Sequence, residues 1–392
     1  MKMRISSQKA KINTSEERFM IVMNIKIDNF FAFKNFEMNM SYPKKIVNSS
    51  IEGEFLKGRE NFRFKKVNIL MGANATGKTS VGKMLMSIFN AINKKEYTRL
   101  LDLVTDEEKM ASFSIDFVSR SYKLYRLEMN IMPFVKNEES PKMKVNTRFV
   151  DINNRDSYES CVKRLEQIPY DSNSNFVEQL EKVERLGWMF SYPADTAGGV
   201  VKCSRNANYL TILNYTLRAL DPSIKQVEQL NEIDNAYVIR MDTQDLIIQD
   251  GEVIKNSILS SGTKAGMDIA NMLSSICAGE CGFYYCDEMF SYVHSDIEKA
   301  FLTVMINNLH DNEQLFFTTH NSDILDMQLP RHTFVFLKKD TSDIQQPVKC
   351  FDASKYLKRN TDSLRNAVEN DLFSIAPNLE HIYEISEINK SY

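Results

Sequence analysis

Between residues 259 and 340, apolar positions follow the order helix, strand, helix, strand, helix, strand. The strand candidates are three short, nearly continuous apolar runs: 283–286, 315–319 and 334–337. Such runs suit strands covered on both faces, and their alternation with helices predicts a parallel sheet. A fourth run, Val67 to Met71, leads into Val81, Met84, Leu85, Ile88, Phe89 and Ile92. Their i, i+3, i+4, i+7 spacing predicts an amphipathic helix.

Elsewhere the apolar period falls to two. Ile25, Ile27, Phe31 and Phe33 predict strand, turn, strand over 23–40. Phe113, Ile115 and Phe117, then Tyr122, Leu124, Tyr125 and Leu127, predict a hairpin broken at Ser119-Arg120-Ser121. Residues 41–66 read as a polar connection, and 133–175 as loops with little independent structure. Helices are expected over 176–189 and 207–220; the second carries Leu210, Ile212, Leu213, Leu217 and Leu220 and stops at Asp221-Pro222. Short strands follow over 235–255, with turns at Asp242 and Asp250-Gly251. Ser295-Asp-Ile-Glu298 reads as a capping box opening a helix that buries Ile297, Val304, Met305 and Leu309.

Four motifs fall on these elements. Gly72-Ala-Asn-Ala-Thr-Gly-Lys-Thr79 fills every fixed position of G-x-x-x-x-G-K-[ST] between a strand and a helix, the context of a P-loop. Its amides and helix N-terminus direct positive partial charge at phosphate oxygens. Gly72, Asn74, Ala75, Thr76, Gly77, Lys78, Thr79 and Ser80 are therefore the expected nucleotide contacts, with Lys78 reaching the β- and γ-phosphates and Thr79 ligating Mg²⁺. Leu259-Ser-Ser-Gly-Thr-Lys264 precedes a helix carrying Ile269, Met272, Leu273 and Ile276, and reads as a signature motif. Ser260, Ser261, Gly262 and Thr263 are expected to meet the γ-phosphate held by another subunit. Phe283-Tyr-Tyr-Cys-Asp-Glu288 is an apolar strand ending in two acids, a Walker B pattern: Asp287 for the metal, Glu288 for the attacking water. Thr318-Thr-His320 ends the next strand and suits His320 to sensing the γ-phosphate.

Composition bounds the partners. The 392 residues carry a net charge of −3, which gives no global attraction to nucleic acid. No apolar run approaches a membrane span, and the basic N-terminus lacks the apolar core of a secretory signal. Six dispersed cysteines without zinc-type spacing suit reduced thiols and a cytoplasmic location. Gly72 and Gly262 lie 190 positions apart, which calls for an inserted lobe. The expected division is 1–22 as a polar extension, 23–132 as the N-terminal part of the core, 133–232 as a helical and loop insertion, and 233–392 as the C-terminal part of the core.

P-loop, late signature, Asp-Glu and histidine stand in the order of the ABC-type ATPases, which include the SMC and RecF proteins and the overcoming-lysogenization-defect (OLD) group. In detail the chain resembles the RloA-like AAA ATPases of bacterial defence loci. The resemblance rests on Ser260-Ser-Gly-Thr-Lys264, His294 six residues after Glu288, Thr318-Thr-His-Asn321 and the tail from Phe351 through Pro377, and spans about 23–92 and 205–380. It implies an α/β P-loop NTPase of ABC (SMC/RecF-like) type, with a mixed sheet, a flanking antiparallel β-lobe and an inserted mainly helical lobe. It also implies ATP and Mg²⁺ as cofactors, a homo-oligomer of at least two subunits, and ATP sandwiched between them. A separately encoded effector, with Toprim-type nucleases among the candidates, and a phage-derived trigger follow from the same likeness. Asp340 and Asp343 do not form the D-x-D pair of a nuclease carried in cis. The alternative is a RecF- or SMC-like ATPase acting on DNA itself. Two departures stand out. Met289-Phe-Ser-Tyr292 follows Glu288 where the family has small or acidic residues, and Gln244 and Gln249 lie too near the signature to be the Mg²⁺-sensing glutamine.

Overall fold

A computed structural model describes residues 19–135, 141–171, 174–192, 207–230, 233, 236–242, 244–249, 252–253, 261–357, 362–373, 375 and 379–387. It is a mixed α/β fold built on several sheets. The central sheet has six strands, in the order Val348–Asp352, Phe334–Lys339, Val67–Met71, Gln314–Thr318, Phe283–Asp287, Trp188–Ser191. All pairs are parallel except Val348–Asp352, which runs antiparallel at one edge.

Both faces of this sheet are apolar, as the continuous runs predict. Phe283, Tyr285, Phe316 and Leu70 share one core cluster with the P-loop helix (Lys78–Lys94) through Val81, Met84, Leu85, Ile88, Phe89 and Ile92. Tyr284, Cys286, Leu315, Phe317 and Ile69 share another with Ile269, Met272, Leu273 and Ile276 of the signature helix (Ser261–Ala278). Alternate residues of a strand point to opposite faces, so each strand seats one helix layer on each side.

The P-loop helix is covered in turn by a five-stranded antiparallel sheet, ordered Phe36–Asn39, Met20–Asp28, Ala111–Ser119, Lys123–Ile131, Met143–Asp151. The predicted hairpin is its centre, turning at Tyr122 with φ 56. Its first strand starts at Met20, so the expected extension 1–22 runs into the core; residues 1–18 lie outside the described residues. Buried Gln314 joins the two sheets: its side chain accepts from the Val22 amide at 2.9 Å and donates to the Val22 and Lys65 carbonyls. A further antiparallel sheet, Ile224–Gln229, Ala236–Met241, Asp245–Gln249 and Glu252–Val253, contributes Ile224, Val227, Ile239, Leu246 and Ile248 to a cluster with helix Tyr209–Leu220 and with Met267 and Ala270.

Several expectations need correction. Residues 133–175 hold the nine-residue strand Met143–Asp151 and the capped helix Tyr158–Glu166. Residues 176–189 are the short helix Phe176–Glu181, then an edge strand of the central sheet starting at Trp188. Residues 133–232, expected as a helical and loop insertion, thus lend strands to both large sheets. The connection 41–66 carries a small hairpin, Phe55–Leu56 with Arg59–Arg63. The helix expected between the last two parallel strands is two short 3₁₀ turns, Ser322–Asp326 and Arg331–Thr333, the second entered through Pro330. No described helix is long and apolar enough to cross a membrane. The five described cysteines are free thiols; Cys203 lies outside the described residues.

Candidate functional site

The strand order builds the site. The strand ending in Thr318 lies between the P-loop strand and the strand ending in Asp287, with Leu70 beside Thr318 and Thr318 beside Asp287. The Lys78 helix, the acids 287–288 and His320 therefore leave the same sheet end side by side.

The P-loop wraps the end of its strand. Gly72 (φ 153) is required there, since a Cβ would lie 2.3 Å from the Leu337 carbonyl oxygen. Asn74 and Ala75 are exposed at the tip, and Ala75 adopts φ 60. Thr76 is buried and donates to the Ala73 carbonyl at 2.9 Å. Gly77 caps the helix in the left-handed region with no side-chain cap, and the first turn carries no acid. The opening amides of the helix are left for an anion. Lys78 is folded back, donating to the Gly72 and Ala73 carbonyls at 3.0 and 3.2 Å. Thr79 and Ser80 are half-buried beside it.

Thr79 Oγ1 donates to Asp287 Oδ2 at 2.7 Å, and Thr318 Oγ1 donates to Asp287 Oδ1 at 2.8 Å. Thr318 Oγ1 also accepts from the Glu288 amide at 2.9 Å, so one hydroxyl spaces both acids. Burial pushes the Asp287 carboxyl above its ordinary value, opposed by these two hydroxyls. A hydroxyl against one buried carboxylate is an oxygen pair suited to Mg²⁺, which takes one or two protein oxygens and completes its shell with phosphate and water. No cluster of three or more metal-binding side chains is found among the described residues.

Glu288 stands at φ 45, an uncommon conformation for a non-glycine residue. Its Oε1 lies 2.7 Å from His320 Nε2 and 3.7 Å from Lys78 Nζ. The hydrogen bond from His320 holds its carboxyl below the usual range; burial opposes it, and Lys78 adds to it. Burial also lowers the Lys78 ammonium, countered by Glu288 and Asp287. The cluster offers a cation for phosphate, an oxygen pair for a metal, and a charged carboxylate touching an imidazole.

Lys78, Thr79, Asp287, Glu288 and His320 thus converge. The signature lies in a different cluster: Thr263 is buried, its hydroxyl 3.4 Å from Asp221 Oδ2, and Gly266 packs under Leu217 and Leu220. Gly262 is partly exposed; Ser260 and the Ser261 side chain lie outside the described residues.

Sequence reading missed three neighbours. Thr318 carries a sequence signal only as part of its motif. Tyr285 is fully buried and donates to the Lys78 carbonyl at 2.7 Å, tying the Walker B strand to the P-loop helix. Tyr192 follows the edge strand whose Ser191 is in register with Cys286, next to Asp287 in the chain; burial, then Asp287, raises its phenol. Neither tyrosine carries a sequence signal, because strand register places both.

Gly82 admits the Tyr285 ring: a Cβ there would lie 2.6 Å from Tyr285 Cε1. Gly82→Ala is therefore expected to cost about 1–3 kcal/mol and, by displacing the first helical turn, to weaken binding of a nucleotide added as a probe. Urea unfolding and nucleotide titration check it; unchanged values in both would mean the ring yields freely.

No protein-family model and no curated protein matches the chain. Solved structures do. A Pyrococcus furiosus Smc head domain with an extended coiled coil, bound to the C-terminal domain of ScpA, matches with TM-score 0.49 and 10% identity over 91% of this chain and 100% of that one. An Smc head bound to the C-winged helix domain of ScpA gives 0.48 and 13%, over 86% and 99%. The recombination mediator RecF with bound ATP gives 0.40 and 13%, over 86% and 98%.

Proposed function

We propose that this chain is an ABC-type ATPase that binds Mg²⁺–ATP at Gly72–Ser80 and hydrolyses it with Glu288 and His320. The observation that carries the reading is the meeting of Lys78, Thr79, Asp287, Glu288 and His320 at one sheet end, with Thr79–Asp287 and His320–Glu288 each at 2.7 Å. Lys78 turns from the loop carbonyls to the β- and γ-phosphates. Thr79 and Asp287 would hold the metal, which would supply charge stabilisation of the phosphoryl oxygens. Glu288 takes a proton from the attacking water, and His320 bonds the γ-phosphate and orients Glu288.

The site is completed by a second copy, whose Ser260 to Thr263 faces the γ-phosphate. Loss of that phosphate on hydrolysis loosens the interface, so the oligomer has an ATP state and an ADP state. In the biological setting that the motif resemblance implies, this switch controls a separately encoded effector in phage defence. The slight negative charge supports a protein partner over electrostatic DNA clamping.

Ser260→Arg is expected to abolish turnover while leaving ATP affinity within about twofold, because the arginine projects into the partner's site. Mixing Ser260→Arg with Lys78→Ala subunits should recover turnover, pairing the intact P-loop of one with the intact signature of the other. Loss of ATP binding in the first variant, or no recovery on mixing, would overturn the shared site. DNA binding by the wild type that falls steeply with salt would favour the DNA-acting alternative.

A further inference from the structure

The geometry points to Glu298 as a positioning residue that sets His320 against Glu288. This rests on the ATPase reading above and adds a residue outside the four motifs. Glu298 lies in the helix Ser295–Asn308 and is 4% exposed. Its Oε1 accepts from Thr319 Oγ1 at 2.7 Å, and its Oε2 accepts from Asn321 Nδ2 at 2.7 Å. One carboxylate thus straddles His320, holding the residue on either side.

The expected capping box is absent for this reason. The helix is capped by His294, whose Nδ1 accepts from the Asp296 amide at 3.2 Å. Ser295 is the first helical residue, and after Arg365 it helps hold the Asp323 carboxyl below its ordinary value. Glu298 is turned inward, with Leu302, Met305 and Ile306 on the same buried face, while Val304 is exposed.

A buried carboxylate is costly without a cation, and the influences on Glu298 are burial, Thr319, Asn321 and the like charge of Asp323. What the arrangement secures is a closed ring. From Glu288 the chain runs through Met289 and Phe290, both buried, into the helix. Glu298 returns through Thr319 to His320, and His320 Nε2 meets Glu288 Oε1. Asn321 locks the far side: its amide donates to Thr319 Oγ1 at 3.0 Å, and its Oδ1 accepts from the Asp323 amide at 2.9 Å. Thr318 faces Asp287 while Thr319 faces Glu298, so the two threonines fix the approach to the histidine from opposite sides. A shift of the helix moves His320 relative to Glu288.

The test compares wild type, Glu298→Gln, His320→Ala and the double variant. Glutamine keeps the volume but can accept only one of the two hydrogen bonds. Glu298→Gln is expected to lower kcat by about tenfold to a hundredfold, with ATP affinity within twofold and an unchanged unfolding midpoint in the presence of ATP. In the His320→Ala background the same change should cost nothing further, because it acts through the absent ring. Wild-type kcat in Glu298→Gln, or a full further loss in the double variant, would overturn the role. A second readout does not need turnover. The His320 imidazole signal in ring-labelled protein, assigned by its loss in His320→Ala, should move in Glu298→Gln in the direction it moves in Glu288→Gln. If it stays put, the clamp is wrong even where ATP is hydrolysed. If wild type hydrolyses no ATP, the ATPase reading fails, and this signal alone decides whether Glu298 holds the ring.

Discussion

Glu288→Gln is expected to cut ATP turnover by about 10²- to 10⁴-fold and to leave ATP bound in a closed assembly. The residue is held at three points. Its backbone amide donates to Thr318 Oγ1, its Oε1 touches His320 Nε2, and Lys78 Nζ lies 3.7 Å from that Oε1. The hydrogen bond from His320 is the main force lowering its carboxyl below the ordinary value. A lowered carboxyl stays ionised as pH falls toward the usual carboxylate range, so Glu288 is a charged acceptor throughout neutral pH. Glutamine fits the same space and can still bond His320, but it cannot take a proton from water. Phosphate release, retained nucleotide and mass by light scattering check the variant together. Wild-type turnover in Glu288→Gln would remove it as the base. Turnover lost with ATP retained, but with no change in mass, would place assembly elsewhere and confine the nucleotide to a conformational role within a fixed oligomer.

The groups that converge at this sheet end were legible in the sequence because each lies in a short contiguous motif at a strand end. A glycine loop before a helix, two acids after an apolar run and a histidine after another need no knowledge of distant contacts. What joins the motifs was not legible, because it depends on strand register and long-range pairing. Tyr285 and Lys78 are 207 positions apart, and only the sheet order brings the phenol to the carbonyl. Trp188 to Ser191 has no strand-like alternation; it becomes a strand by pairing with Phe283–Cys286. Ser295-x-x-Glu298 fits a capping box locally, yet Thr319 and Asn321 recruit the glutamate. There a tertiary hydrogen-bond pair outcompetes a local one. The polar look of 133–175 misled for a similar reason. Met143–Asp151 lies at the sheet edge and buries the polar run Asn146-Thr147-Arg148 rather than an alternating apolar set, with Arg148 paired to Glu128 at 2.6 Å.

Lys78→Ala is expected to remove measurable nucleotide binding and all turnover that depends on it. The Lys78 ammonium is nearly buried, bonded to the Gly72 and Ala73 carbonyls and drawn toward Glu288. Burial weakens its hold on the proton, and Glu288 and Asp287 restore it, so the lysine is a charged group kept ready beside two acids. On the proposed function, an arriving triphosphate would exchange those contacts for phosphate oxygens and release Glu288 to His320 and the attacking water. Alanine removes the exchange and takes away the lysine charge that stands between two neighbouring carboxylates and the phosphates. Truncating one partner of such a buried charge pair costs about 2–5 kcal/mol, or roughly 30-fold to several thousandfold in Kd. Nucleotide titration gives the affinity, and the rise of the unfolding midpoint with added ATP gives an independent reading of the same binding. In the variant that rise should vanish, while the midpoint without ATP stays close to wild type because Tyr285 still holds the helix through the Lys78 carbonyl. An ATP-dependent rise as large as that of wild type would show that the loop amides alone carry the phosphates, and that Lys78 acts only on the chemistry.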